Sequence, residues 1–263
     1  MHFQIISRRD EISSELQKKM IERLIDAGMA LNEESPELVI SIGGDGTLLS
    51  AFHKYQHRLK ETCFVGVHTG HLGFYADWNP EEVDELIDLI IKENFDVIEY
   101  PLVETKVICA DKTHEFLSLN ESTLKMPRGT TLVIDVSLRK GLFERFRGDG
   151  ICISTPSGST AYNKSLGGAI IHPSFRAMQL TEIASLNNRV FRTVGSPMVF
   201  PDTHFVRITT TTEAPHAVTV DHLHFEIDGI EEIEYRVAKD IIRFARFRPF
   251  PFWQRVRESF ISN

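Results

Sequence analysis

Residues 41–50 read SIGGDGTLLS and place one carboxylate, Asp45, in a turn built from Gly43, Gly44 and Gly46. Glycines allow positive φ and let backbone come close to a ligand. The spacing of Leu48, Leu49 and Phe52 predicts that a helix follows. Its first turn would aim unpaired N–H groups and a positive dipole end at the same spot, which suits phosphate. A carboxylate there repels the anion unless it has another task. Two tasks fit: taking a proton from an attacking hydroxyl, or helping to hold Mg2+. The plainer alternative is an aspartate N-cap on an ordinary helix. The turn is not a P-loop, because G-x-x-x-x-G-K-[ST] is absent, and it is not the G-x-G-x-x-G fingerprint.

Two later segments carry further chemistry. LNEST, residues 119–123, sets Asn120 beside Glu121 at the end of a strand-like run, where both can reach a ribose edge or an amine; a turn with a cap would also explain it. Residues 146–168 read FRGDGICISTPSGSTAYNKSLGG. There Gly148 and Gly150 bracket Asp149, and glycine, Ser, Thr and Tyr crowd into a loop that packing alone explains poorly. His222 and His224 alternate in DHLHFEID, which predicts one shared strand face. No third ligand accompanies them, so no side-chain motif for a metal is read.

The elements that must position these residues change texture near residue 100. Before it, strand and helix signals alternate: a strand at 2–7, a helix at 11–27, a strand at 38–42, a helix at 46–55, a strand at 63–67 and a helix from Pro80 to about Lys92. This alternation predicts a parallel sheet with helices on its faces. Short, β-branched runs follow at 102–109, 113–119, 131–138, 142–147, 151–154, 204–210, 217–220 and 233–237, and predict antiparallel structure. Helical interruptions are expected at 165–168 and 177–184. The aromatic, basic tail is expected to hold a last helix at 252–260 and to pack back on the body. The domains expected are thus an α/β domain over 1–100 carrying GGDGT, a β-rich domain over 101–240, and a tail over 241–263 returning to the first. The active site is expected in the crevice between the domains.

Composition narrows the classes. Of 263 residues, 29 are basic and 37 acidic, a formal charge of -8, whereas nucleic-acid binding wants a basic surface. Cys63, Cys109 and Cys152 form no C-x-x-C pair and sit in apolar runs, as buried free thiols do. No apolar run approaches a membrane span of about 20 residues, and the first residues do not read as a signal peptide. The expectation is a cytoplasmic protein with no nucleic-acid or membrane partner.

Together GGDGT (43–47), GHLGF (70–74), LNEST (119–123), the block at 148–168 and SPMVFP (196–201) resemble the NAD kinase family, in order and over nearly the whole chain. GGDGT alone is shared with lipid kinases and phosphofructokinases; the STPSGSTAY block with NE upstream is far more specific. The resemblance implies an N-terminal Rossmann-like α/β domain and a C-terminal β-sandwich-like domain. It implies transfer of the γ-phosphoryl of ATP, or of polyphosphate, to the 2′-hydroxyl of the adenosine ribose of NAD, giving NADP. Asp45 would be catalytic, contacting that hydroxyl. Gly43, Gly44, Gly46 and Thr47 would bind ATP phosphates, with Mg2+ carried on the nucleotide. Asp45 and Gly46 would also meet NAD, Phe74 and Tyr75 would flank the adenine, and Asn120 and Glu121 would hold the riboses. Ser157, Thr160, Ala161, Tyr162, Asn163, Lys164 and Ser165 would line the dinucleotide site. Arg147 would meet a phosphate, and Asp149 the nicotinamide amide or the adenine amine. Ala184 and His222 would reach a site completed by a neighbouring subunit of a dimer or tetramer.

Two other readings compete. A lipid or sugar kinase would share GGDG but leave LNEST and STPSGSTAY without a purpose. A non-catalytic NAD(P)-binding regulatory module would keep Asn120 and Tyr162 and could dispense with Asp45.

Overall fold

The computed structural model describes residues 1–139, 141–210 and 214–262. The chain divides into two compact units, Met1–Tyr100 with Ile241–Asn263, and Pro101–Asp240.

In the first unit, β1 (His2–Ser7) leads to α1 (Glu11–Asp26), a short β2 (Ala30–Leu31) and β3 (Leu38–Gly43). Then come α2 (Asp45–Tyr55), β4 (Cys63–His68) and α3 (Val83–Ile91). Local chemistry starts the helices. Asp10 caps α1 by accepting from the Ser13 N–H at 2.9 Å. Asn79 and Glu82 form a capping box, with Pro80 in the first position, on the 3-10 turn that leads into α3. The strands are parallel in the order β2-β1-β3-β4. All six residues of β3 are buried, as in a strand covered on both faces. Phe3, Ile40, Val65, Trp78 and Leu86 belong to one core.

The second unit is antiparallel. The chain enters it within β5 (Asp96–Cys109), followed by β6 (Thr113–Ser118), β7 (Glu121–Lys125), β8 (Leu132–Leu138), β9 (Gly141–Gly148) and β10 (Gly150–Ser154). A single helical turn, α4 (Tyr162–Ser165), precedes β11 (Ala177–Ile183), β12 (Met198–Pro201), β13 (Phe205–Thr210), β14 (His216–Val220) and β15 (Leu223–Ile227). Among the described residues one sheet runs β12-β11-β10-β7-β14-β15, and β8, β9, β13, β5, β6 and the start of β16 (Ile230–Arg246) build the other. Alternate residues point inward: Ile134 and Phe146 from one sheet meet Ile153, Leu180 and Val218 from the other in a single core. Residues 241–246, the end of β16, belong to the first unit, where Phe244 pairs in parallel with Phe64 of β4. The last helix, α5 (Phe252–Phe260), lies in the same unit.

The fold class is as the sequence implies, with local corrections. Of the residues expected as a helix at 177–184, Ala177–Ile183 form β11. Met178, Gln179, Leu180 and Glu182 favour helix on their own, but the segment pairs with β10 on one side and β12 on the other and is buried almost throughout. Tertiary pairing overrides so weak a preference. The helical turn expected at 165–168 comes earlier, as α4. LNEST follows the end of β6, as expected, and its last three residues also open β7. His222 and His224 do not share a strand face, because Val220 pairs with Leu223 and leaves Asp221 and His222 as a two-residue hairpin turn. Asp221 there has φ of 52°, in the left-handed region an aspartate tolerates.

Candidate active site

Parallel pairing brings the glycine turn to the loop after β4. Gly43 lies opposite His68, and the Thr69 N–H donates to the Gly43 carbonyl at 3.2 Å. Both segments leave the carboxyl ends of adjacent strands, where open α/β sheets bind ligands. Gly44, not Asp45, occupies the N-cap of α2, and Asp45 is the first helical residue. The capping alternative for Asp45 therefore fails. Its carboxylate instead accepts the peptide N–H groups of Phe74 at 2.8 Å and Tyr75 at 3.1 Å. Gly73 makes this approach possible, since a Cβ there would sit 2.2 Å from an Asp45 oxygen.

Asp45 is half-buried. Burial pushes its pKa above the ordinary aspartate value; the two peptide N–H groups, then Arg255 and His68, pull it back. Beside it an open pocket of about 460 Å3 is lined by Ser7, Arg8, Gly44, Gly46, Thr47 and Ser50, at the amino end of α2. Of the turn residues named from sequence, Gly43 and Asp45 are absent from that lining.

Phe74 and Tyr75 reach Asp45 through backbone. The Phe74 ring stacks on Phe260 of α5 with centroids 5.5 Å apart, and the buried Tyr75 ring lies parallel to Phe244 at 5.9 Å. Under the same loop, Arg255 of α5 donates to the carbonyls of Gly73 at 2.9 Å and Ala76 at 3.2 Å. Arg246 pairs with Asp77, which lies 3.5 Å from Arg255.

In the second unit a residue that sequence reasoning missed organises LNEST. Asp221 accepts the N–H groups of Leu119 at 3.0 Å, Asn120 at 2.7 Å and Glu121 at 3.2 Å. A lone aspartate beside His222 carries no sequence signal for this, since its partners lie about a hundred positions away. The STPSGSTAY loop closes over the same segment. Thr155 and Ser157 hydroxyls donate to the Leu119 carbonyl at 2.6 and 3.1 Å. A Cβ on Gly158 would meet the Asn120 carbonyl oxygen at 1.9 Å, so only glycine fits.

Glu121 is buried, its Oε2 has no hydrogen-bond partner, and its pKa is pushed up to about 8. Burial is the main cause and the Asp221 charge adds to it, while the Tyr162 N–H opposes both. The Tyr162 hydroxyl accepts from Lys125 at 3.0 Å, with the ammonium 4.8 Å from the ring centroid.

Other residues named from sequence fall into two groups. Ser157, Thr160 and Asn163 are turned inward; the Asn163 side chain accepts from Thr181 at 2.7 Å. Ala161 and Tyr162 are half-buried, while Lys164 and Ser165 are exposed. Arg147, Asp149 and Ala184 are brought together by backbone bonds, Asp149 N–H to Ile183 carbonyl at 2.9 Å and Leu186 N–H to Arg147 carbonyl at 2.7 Å. The Arg147 guanidinium lies 4.3 Å from the Phe191 ring centroid. Ala184 is exposed with φ of 47°, and His222 is exposed beside Asp221.

Family models match both parts of the chain: the ATP-NAD kinase N-terminal domain over residues 2–95 and the ATP-NAD kinase C-terminal domain over 119–240. The chain belongs to the NAD kinase family. It is 57% identical to an NAD kinase of Staphylococcus carnosus over 265 aligned positions, covering 100% of this chain and 98% of that one. An NAD kinase of Staphylococcus aureus is 56% identical with the same coverage. The fold matches a yeast NADH kinase solved with NADH at a TM-score of 0.86 and 18% identity, over 100% of this chain and 88% of that one. An Archaeoglobus fulgidus NAD kinase solved with ATP matches at 0.76 and 24% identity, over 99% and 97%.

Proposed function

We infer that this chain is an NAD kinase that transfers the γ-phosphoryl of ATP to the 2′-hydroxyl of the adenosine ribose of NAD. Kinship over the full length supports the activity. The observation that supports the chemistry is Asp45, freed from capping and held by two peptide N–H groups beside the pocket at the start of α2. Its carboxylate accepts the hydrogen of the ribose hydroxyl and takes the proton as the oxygen attacks phosphorus. Phosphoryl transfer runs through a loose transition state, so orientation of the hydroxyl counts for at least as much as its deprotonation. Gly44, Gly46 and Thr47 receive the donor phosphates at the positive end of α2.

The oxygen donors beside the pocket, Asp45 carboxylate and Thr47 hydroxyl, fit a magnesium ion carried on the nucleotide. That ion, when bound, neutralises phosphate charge that no P-loop lysine meets here. The second unit carries the dinucleotide-handling residues: Asn120 and Glu121 for ribose hydroxyls, Tyr162 as a stacking face, and Asp149 and Arg147 as polar contacts. The protein works in the cytoplasm, and self-association as a dimer or tetramer brings Ala184 and His222 to a neighbour's site. Among the described residues no helix is long and apolar enough to cross a membrane.

A coupled assay for NADP from NAD, ATP and Mg2+ tests this reading. Product formation is expected; no product with any nucleoside triphosphate or with polyphosphate refutes it.

A further inference from the structure

Asp45 is held only as firmly as the loop that cradles it. The Phe74 and Tyr75 N–H groups point at its oxygens because the peptide planes from Gly73 to Ala76 are fixed. Their carbonyls at the two ends of that stretch, Gly73 and Ala76, both accept from one nitrogen of Arg255, at 2.9 and 3.2 Å. Arg255 is buried and comes from α5, more than 170 positions away in sequence. It lies 3.5 Å from Asp77, which Arg246 also pairs. The Arg255 charge acts on Asp45 as well, lowering its pKa against the push of burial.

We propose that Arg255 is a positioning residue for phosphoryl transfer: it clamps the Gly73 and Ala76 carbonyls, which bracket the Phe74 and Tyr75 N–H groups, so that those groups hold Asp45 in place. The role rests on the reading of Asp45 as acceptor of the ribose hydroxyl proton. The planar guanidinium suits it, since its rigid fork holds two carbonyls and faces a carboxylate together. A lysine ammonium is a single point on a flexible stem and holds the loop less firmly. A clamp of this kind acts on geometry, and a misplacement on the order of 1 Å costs turnover up to about a hundredfold without weakening substrate binding.

The test uses the full chain with Arg255→Lys and Arg255→Met. Hydrogen exchange on the ligand-free protein reads the Phe74 and Tyr75 amides directly. Both should exchange about tenfold faster in Arg255→Lys, while amides of β1 and α1 keep their protection. The kcat should fall roughly ten- to a hundredfold, with KM for NAD and for ATP within about twofold of the parent. Unchanged exchange at Phe74 and Tyr75 overturns the proposal. So does faster exchange spread over the whole unit in step with a lower Tm and with kcat preserved, which would make Arg255 a stability residue alone. If Arg255→Met does not fold, Arg255→Lys decides. A parent protein without NAD kinase activity refutes the functional reading, while exchange still reports whether Arg255 holds the loop.

Discussion

Asp45 in the first unit and Glu121 in the second are both withdrawn from water, yet their surroundings treat the charge in opposite ways. Asp45 has two peptide N–H donors and a buried guanidinium on its side, so burial is answered by groups that favour the anion. Glu121 has the Tyr162 N–H alone, and its nearest charge is the like-signed Asp221, so its pKa rises to about 8. The comparison teaches that burial sets the direction of a shift and the neighbours set the role. Both shifts are upward, but Glu121, with a like charge beside it and one opposing N–H, is pushed far enough to hold a proton at neutral pH.

The largest effect should come from Asp45→Asn. Asparagine keeps the size but cannot take a proton, and kcat should fall by at least about 10²-fold with NAD affinity little changed. Because Gly44 is the cap, no capping is lost, but the amide nitrogen cannot accept the second peptide N–H, so a modest fall in Tm is expected. A stable variant with near parental turnover would break the acceptor role.

Asp221→Ala comes next. It strips three peptide N–H groups of their acceptor, two of them on buried residues, and each costs about 1–3 kcal/mol when left unpaired. A stability loss of about 3 kcal/mol in urea unfolding is expected, with NAD binding weakened and ATP binding spared.

Glu121→Gln sharpens the comparison through pH. The folded protein keeps a proton on Glu121 up to about pH 8, whereas the unfolded chain releases it near the ordinary glutamate value of 4.5. Between those values the folded state binds more protons, so this group's contribution to stability is lost as pH rises and stays lost above about 8. Glutamine abolishes the slope. The variant should match the parent at pH 5 and exceed it by roughly 2 kcal/mol at pH 8–9, after relaxation of a shift worth at most about 1.4 kcal/mol per unit. Equal stability gaps at both ends would mean that Glu121 titrates normally.

Tyr162→Ala should have the smallest effect, weakening NAD binding by about 1–2 kcal/mol through a lost stacking face while leaving ATP binding alone. Equal losses for both substrates in separate titrations would assign the ring to the fold.

What the sequence disclosed follows from the range of each interaction. The parallel unit was legible because its strands and helices are set by local runs: the helix expected at 11–27 is α1, with its cap three residues before Ser13. The antiparallel strands were legible where alternation was strong, as in β8. It failed at β11, whose helix-forming composition is overruled by two neighbouring strands, and at His222, displaced by a two-residue turn that alternation does not reveal. The glycine turn announced Asp45 but could not decide between cap and acceptor, because the deciding N–H groups are about thirty positions away. Asp221 and Arg255 were invisible for the same reason, since each holds backbone far off in sequence.

The first unit is interrupted in sequence by the second, for its final strand segment and α5 begin only at Ile241. Synthesis runs from the N-terminus, so residues 1–100 leave the ribosome while the edge of β4 still waits for residues 243 and 244. The peptide donors for Asp45 are likewise unclamped until Arg255 arrives. A polypeptide released early therefore carries GGDGT without a finished cradle and with an open strand edge that invites wrong partners. Arrival of residues 241–260 is thus the step that closes the strand edge and completes the cradle around Asp45.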